Sequence, residues 1–256
     1  MSRQLMIPAA DTRLHAVDAP GGTPALLFLS GGFGTVRNWR RVIRRLDGKY
    51  RTVRFDARAR GKSRRSADYS VRAAVDDIGR VIDATGIERP ILVGWSHGAT
   101  IAVRYAARHP GRVGGLVLID GAYPIAMLDE AGKQKVRTQF RRLGWMMRIL
   151  AALGRSARMS PAESADVVIE MDAVNGELGP DFAALDCPTV FVVGTGAHTG
   201  ATEDEMRTVR AAAAVAEESN ARVSVFATAA QKHTQILSKA PDTVVAAIED
   251  VVHESS

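Results

Sequence analysis

Gly94-Trp95-Ser96-His97-Gly98 sets a serine between glycines two positions before and two positions after it. A serine hydroxyl attacks only when a base removes its proton and the backbone presents it to that base. Gly-x-Ser-x-Gly does this where a strand runs into a tight turn and a helix runs out, because the outer positions have no room for side chains. Here Ile91-Leu92-Val93 leads in as an apolar strand and a helical stretch leaves from about Ala99. A serine serving only as a helix cap would not need the second glycine. The helix N-terminus adds free N–H groups and partial positive charge. Upstream, Ser30-Gly31-Gly32-Phe33-Gly34 follows the apolar run Ala25 to Leu29, so glycine backbone can approach a substrate at the end of a buried strand. Six histidines, His15, His97, His109, His198, His233 and His253, are available as a base.

Other chemistries fit less well. His198 near Glu203 and Asp204 offers one imidazole with loop acids, so no metal is expected, and no cofactor. Cys187 is the single cysteine, which excludes an intrachain disulfide and a cysteine-built zinc site. Gly61-Lys62-Ser63 looks like the tail of a phosphate-binding loop, but Asp56 stands where its first glycine belongs. The net charge is +6, and residues 37–65 hold thirteen Lys/Arg against Asp47 and Asp56. Only Trp39, Tyr50 and Phe55 accompany them, too few aromatics for base stacking. The stretch reads as a solvated helix face plus loop, with no nucleic-acid partner expected. An anionic or carrier-bound substrate is compatible with it.

The elements that must position these residues follow from hydropathy. With 256 residues, 46% of them hydrophobic, the chain supports one sizeable core. No apolar run reaches the ~20 residues that span a bilayer. The longest candidate, Leu143 to Leu153, is broken by Arg148. Met1-Ser2-Arg3-Gln4 does not open a secretory leader, so a cytoplasmic protein with no membrane partner is expected. Strands are predicted at 12–18, 25–29, 50–55, 90–93, 113–119, 189–193 and 222–226, with helices at 36–46, 71–84, 100–108, 203–217 and 243–252. Residues 122–185 break the alternation with two amphipathic helical stretches, 133–153 and 161–174. The pattern implies an α/β fold, a mainly parallel sheet covered on both faces, with the insert over the strand C-terminal ends.

Three segments together resemble the α/β-hydrolase superfamily, in its small lid-bearing branch: Leu29 to Gly34, Asp56-Ala57-Arg58-Ala59-Arg60-Gly61-Lys62-Ser63, and Gly94 to Gly98. The resemblance runs over roughly residues 12–252. It implies about eight strands, a core of 1–121 and 186–256, and a helical lid, 122–185, inserted after the sixth strand. Apolar lid residues such as Trp145, Met146, Met147 and Leu150 are expected to line an acyl pocket. Ser30 stands where the family usually has His, and Ala59 where it usually has Gly. The first departure weakens the hydrogen bond that braces the glycine loop.

The resemblance also implies an order of nucleophile, acid and base. Ser96 is then the nucleophile and His233, after the last strand, the base. The usual acid position, at the end of the penultimate strand, holds Ala197. The family's second position, at the end of the strand after the elbow helix, holds Asp120. Asp120 is the expected acid, with Glu203 or Asp204 as the alternative. Its carboxylate is expected about 2.6–3.2 Å from Nδ1 of His233. Backbone N–H groups of Gly32 and His97 are the implied oxyanion donors, with Phe33 competing for the first place. The implied activity is hydrolysis of an ester, lactone or thioester through an acyl-enzyme. A lyase or cyclisation catalyst in the same pocket is an alternative. So is a catalytically silent ligand-binding protein, suggested by Ser30 and the acid placement.

Overall fold

The computed structural model of the chain describes residues 2–153, 157–196 and 203–255, with the backbone alone for 203–206. Its strands are β1 Arg3–Ala9, β2 Thr12–Ala19, β3 Gly22–Leu29, β4 Tyr50–Phe55, β5 Ile91–Trp95, β6 Gly115–Ile119, β7 Thr189–Gly196 and β8 Val223–Lys232. They form one eight-stranded sheet in the order β1-β2-β4-β3-β5-β6-β7-β8. Only the β1–β2 and β2–β4 pairings are antiparallel. The rest are parallel, as the alternation of strands and helices implied.

The helices are α1 Arg40–Leu46, α2 Val71–Thr85, α3 His97–Arg108, α4 Glu130–Ala152, α5 Pro161–Gly176, α6 Gly179–Ala183, α7 Glu203–Ser219, α8 Ile236–Lys239 and α9 Pro241–Glu254. The central strands are apolar throughout because both faces are covered. Leu27, Leu29, Leu92, Leu116, Leu118, Phe191 and Val193 point to the side of α2, α3, α6 and α7. The alternate residues Leu26, Phe28, Ile91, Val93, Val117, Ile119, Val190 and Val192 pack with α1, α8 and α9 on the other.

Several strand boundaries differ from the sequence reading: β3 begins earlier, at Gly22, β6 later, at Gly115, and β7 runs on to Gly196. β1 is a further strand, pairing residue by residue with β2 as a hairpin. Its Pro8 is tolerated because β1 is an edge. β8 runs on through Ala227–Lys232, expected as loop. Its small and polar residues lack the long apolar run of a central strand, because it too is an edge.

The chain steps from β3 out to β4, then crosses back to β5 on the other side of β3. Such a reversal opens a crevice at the strand C-terminal ends. The loop at 30–34 leaves β3 and the turn at Ser96 leaves β5, so both border it. Between β6 and β7 lie α4, α5 and α6. Asp129 caps α4 by accepting from Gly132 N–H. Ser160 and Glu163 form a reciprocal capping box on α5, with Pro161 in its first turn.

Candidate active site

Ser96 sits at the corner between β5 and α3 with φ 56° and ψ −123°. Backbone of this kind in a non-glycine residue costs about 1–3 kcal/mol and persists only where the surroundings impose it. Here Ser96 N–H donates to Ile119 O at 2.9 Å, tying the corner to the end of β6. A Cβ on Gly94 would lie 2.5 Å from Gly98 O, and one on Gly98 would lie 2.0 Å from Leu29 O. Neither position can hold a side chain, which is the physical content of the glycine spacing.

Asp120 follows β6 and is buried. Its Oδ2 lies 2.8 Å from Nδ1 of His233. Oδ1 accepts from Tyr123 OH at 2.9 Å and from Gly194 N–H at 3.1 Å. An Nδ1–H donating to this carboxylate leaves the lone pair on Nε2. The His233 ring lies 5.3 Å, centroid to centroid, from that of Trp95, the residue before Ser96. Burial and the adjacent Asp120 charge hold the Tyr123 phenol well above its usual pKa, so it stays a donor. Ala197 and His198 lie outside the described residues, as do the side chains of Glu203 and Asp204. Tyr123 and Gly194 escaped the sequence reading because neither sits in a recognisable motif.

The loop after β3 closes over the corner. A Cβ on Gly31 would lie 3.3 Å from Ser96 Cβ, and one on Gly32 would lie 3.9 Å from His97 Cβ. Both glycine carbonyls are held. Gly31 O accepts from Gly34 N–H at 2.9 Å. Gly32 O accepts from Arg60 Nε at 2.8 Å and Nη2 at 2.5 Å. A trans peptide carries its C=O and N–H on opposite sides, so these bonds also fix where the N–H groups of Gly32 and Phe33 point. Ser30 accepts from Trp39 Nε1 at 3.0 Å and donates to Thr35 O at 3.3 Å. Bracing is thus shared between Ser30 on one side and Arg60 on the other.

Arg60 was not singled out by the sequence. Its guanidinium is buried, and among the described residues its acceptors are backbone oxygens, Gly32 O and Arg58 O, with no carboxylate. Burial lowers its pKa to about 10, which leaves it cationic near neutrality. His97 lies buried nearby. Burial, and secondarily the Arg60 charge, push its pKa down to about 3. Its Nε2 has no partner among the described residues.

The neighbouring loop is pinned from below. Asp56 accepts from Val36 N–H, Lys62 N–H and His15 Nδ1. Arg58 makes a two-pronged pair with buried Asp77 at 2.7 and 2.9 Å. The basic stretch is therefore divided: Arg58 and Arg60 are interior, while Arg45, Lys49 and Arg51 pair with Asp242, Glu249 and Asp18.

From the 122–185 segment, Phe140 of α4 packs on Phe33 at 5.6 Å between ring centroids. Trp145 and Met146, expected to line an acyl pocket, are instead exposed. α4 turns Phe140 and Gly144 inward, and a helix cannot turn residues one or two further on to the same side. Met147, three residues beyond Gly144, is half-buried. Among the described residues no three His, Cys, Asp or Glu side chains gather closely enough to hold a metal ion.

A family model described as "alpha/beta hydrolase fold" matches residues 24–167. A 2-hydroxymuconate semialdehyde hydrolase of Pseudomonas is 36% identical over 126 residues, covering 48% of this chain and 44% of that protein. Epoxide hydrolase B of Mycobacterium tuberculosis is 36% identical over 113 residues, covering 41% and 32%. The chain thus spans less than half the length of these curated relatives. Solved structures match over nearly all of it. A bromoperoxidase from Bacillus anthracis has a TM-score of 0.78 at 16% identity, covering 99% of this chain and 100% of that one. An esterase from Exiguobacterium antarcticum has a TM-score of 0.75 at 19% identity, covering 97% and 99%. At these identities the structural likeness concerns the fold alone.

Proposed function

The chain belongs to the alpha/beta hydrolase fold family, and on that premise we propose that it is a serine hydrolase of esters, lactones or thioesters. One observation carries the reading: a buried carboxylate, Asp120, lies 2.8 Å from Nδ1 of His233, whose ring stands beside the Ser96 corner. The two curated sequence relatives named above are hydrolases, which supports hydrolysis as the reaction class.

In this mechanism Ser96 Oγ attacks the acyl carbon as His233 Nε2 takes its proton. Asp120 holds the imidazole in the required tautomer and stabilises the imidazolium. The carbonyl oxygen gains negative charge and is met by the backbone N–H groups of Gly32 and His97, at the loop and at the helix N-terminus. The bond to the leaving group breaks, and His233 returns the proton to that group. Water, deprotonated by His233, then attacks the acyl carbon; as its bond to Ser96 breaks, His233 returns the proton to Ser96 Oγ and the acid is released. Residues 122–185 act as a cap, which meets the oxyanion loop where Phe33 packs on Phe140 and against the cluster of Ala157, Met159 and Val167.

A fluorophosphonate probe on the native protein tests the reading. Mass spectrometry is expected to find one adduct, on Ser96, and a series of acyl esters of increasing chain length is expected to be turned over. Absence of any adduct, with no turnover of the series, would replace this reading by that of a ligand-binding protein.

A further inference from the structure

We propose that the outward face of α4 docks this protein on an anionic lipid surface. The inference rests on the surface chemistry of α4 and is independent of the reading of Ser96.

The geometry defines the face. Gly144 is the buried residue of α4, and a Cβ there would come 2.7 Å from Pro161 Cγ of α5. Phe140, one turn earlier, meets Phe33. These two mark the side turned to the protein. Trp145, Ile149 and Leu153, spaced four apart, share a stripe on the far side and are 68%, 53% and 61% exposed. Met146 and Leu143 lie beside them, also exposed. Apolar side chains gathered in this way mark an interaction site.

The charges say what covers it. Lys135, Arg137, Arg141, Arg142 and Arg148 are all exposed on this helix. Its one carboxylate, Glu130, pairs with Lys133 at 2.7 Å. Among the described residues no carboxylate lies within 4 Å of the other five cations. An indole and aliphatic side chains ringed by guanidinium groups suit the boundary between acyl chains and anionic headgroups. The indole sits at headgroup depth and the arginines reach phosphate oxygens. A second copy of the chain fits worse, because two-fold pairing would set the same arginines against one another.

The sequence suggested no membrane partner because no segment is long and apolar enough to cross one, and among the described residues no helix is. Docking on a surface needs no such segment. Through Phe140 and Phe33, docking would also hold the crevice at the strand C-terminal ends near the lipid.

The test uses the full chain with phosphatidylglycerol and phosphatidylcholine vesicles. Trp39 and Trp95 are buried, so Trp145 reports on insertion. Co-sedimentation with phosphatidylglycerol vesicles and a blue shift of emission are expected, both weakened by salt. Ile149→Ser/Leu153→Ser, which alters only exposed side chains, should lower the partition coefficient by about tenfold or more. Arg141→Gln/Arg142→Gln/Arg148→Gln should lower it on the order of a hundredfold on phosphatidylglycerol. Near-ultraviolet circular dichroism checks that both variants fold. If they do not, the wild-type preference for anionic over zwitterionic vesicles and its salt dependence still decide. No binding to phosphatidylglycerol at low salt overturns the proposal. So does a dimer that the apolar variant converts to monomer without any vesicle binding. Binding of polyglutamate but not vesicles would assign the face to an acidic protein and overturn it as well.

Discussion

Asp120 and His233 meet at 2.8 Å although 113 positions separate them in the chain. The contact spans the sheet, since Asp120 follows β6 and His233 follows β8 with β7 between them. Gly194 of β7 makes this reach feasible, because a Cβ there would lie 2.6 Å from Asp120 Oδ2. Asp120→Asn is expected to lower turnover by about 10²–10⁴-fold, in line with other triad acids. Gly194→Ala should approach the same loss by displacing the carboxylate. Steady-state kinetics on the two variants checks this. Full activity in either would move the acid elsewhere.

Ser96→Ala is expected to abolish turnover and probe labelling while leaving the fold intact. Ser96→Gly separates chemistry from strain. It is equally inactive, yet relaxes a corner held at φ 56°, so it should be more stable than Ser96→Ala by about 1 kcal/mol. Denaturant unfolding of the two inactive variants measures the difference. A less stable glycine variant would show that the corner is unstrained.

What the sequence disclosed depended on whether a signal was local. The buried strands were legible because both their faces are apolar, as in β5, where every residue is buried. The edge strands were less legible: in β1 only Ile7 and Ala9 are buried, so its apolar residues mark no core-facing run, and β8 was cut short because its later residues are small or polar. Ser96 announced itself through its glycines. Asp120 was named through the resemblance, which offers a second acid position at the end of the strand after the elbow helix where Ala197 fills the usual one. Arg60 gave no signal, because one more arginine in a basic stretch looks like surface. Only the fold reveals that its guanidinium points inward to Gly32 O.

Arg60 is expected to be a positioning residue for the oxyanion loop. Its two-pronged hold on Gly32 O fixes the peptide planes beside Ser96, and loss of a well-placed oxyanion donor typically costs ~10²–10³ in rate. Arg60→Gln should therefore lower kcat by about tenfold or more with little change in KM, and slow fluorophosphonate inactivation in parallel. Arg60→Lys, with one point of attachment, should fall between. A variant that loses thermal stability but keeps its inactivation rate would reduce Arg60 to a structural role.

His97 couples the same region to pH. Its backbone N–H is a proposed oxyanion donor, while its buried ring, beside Arg60, has a pKa pushed down to about 3. The unfolded chain takes up a proton here below its ordinary pKa of ~6.5, and the folded chain does not until far lower. The folded state therefore loses stability as pH falls through that window, by about 1.4 kcal/mol per unit for this group, and gains nothing from it above. Urea unfolding of the wild type and His97→Gln at pH 6.5 and 5 tests this, because groups common to both cancel in the comparison. The wild type should lose about 2 kcal/mol more than the variant over that interval. Equal losses would mean that the ring accepts a proton in the folded protein. A second cation would then sit beside Arg60, a like-charge contact that the buried site avoids by keeping the imidazole neutral.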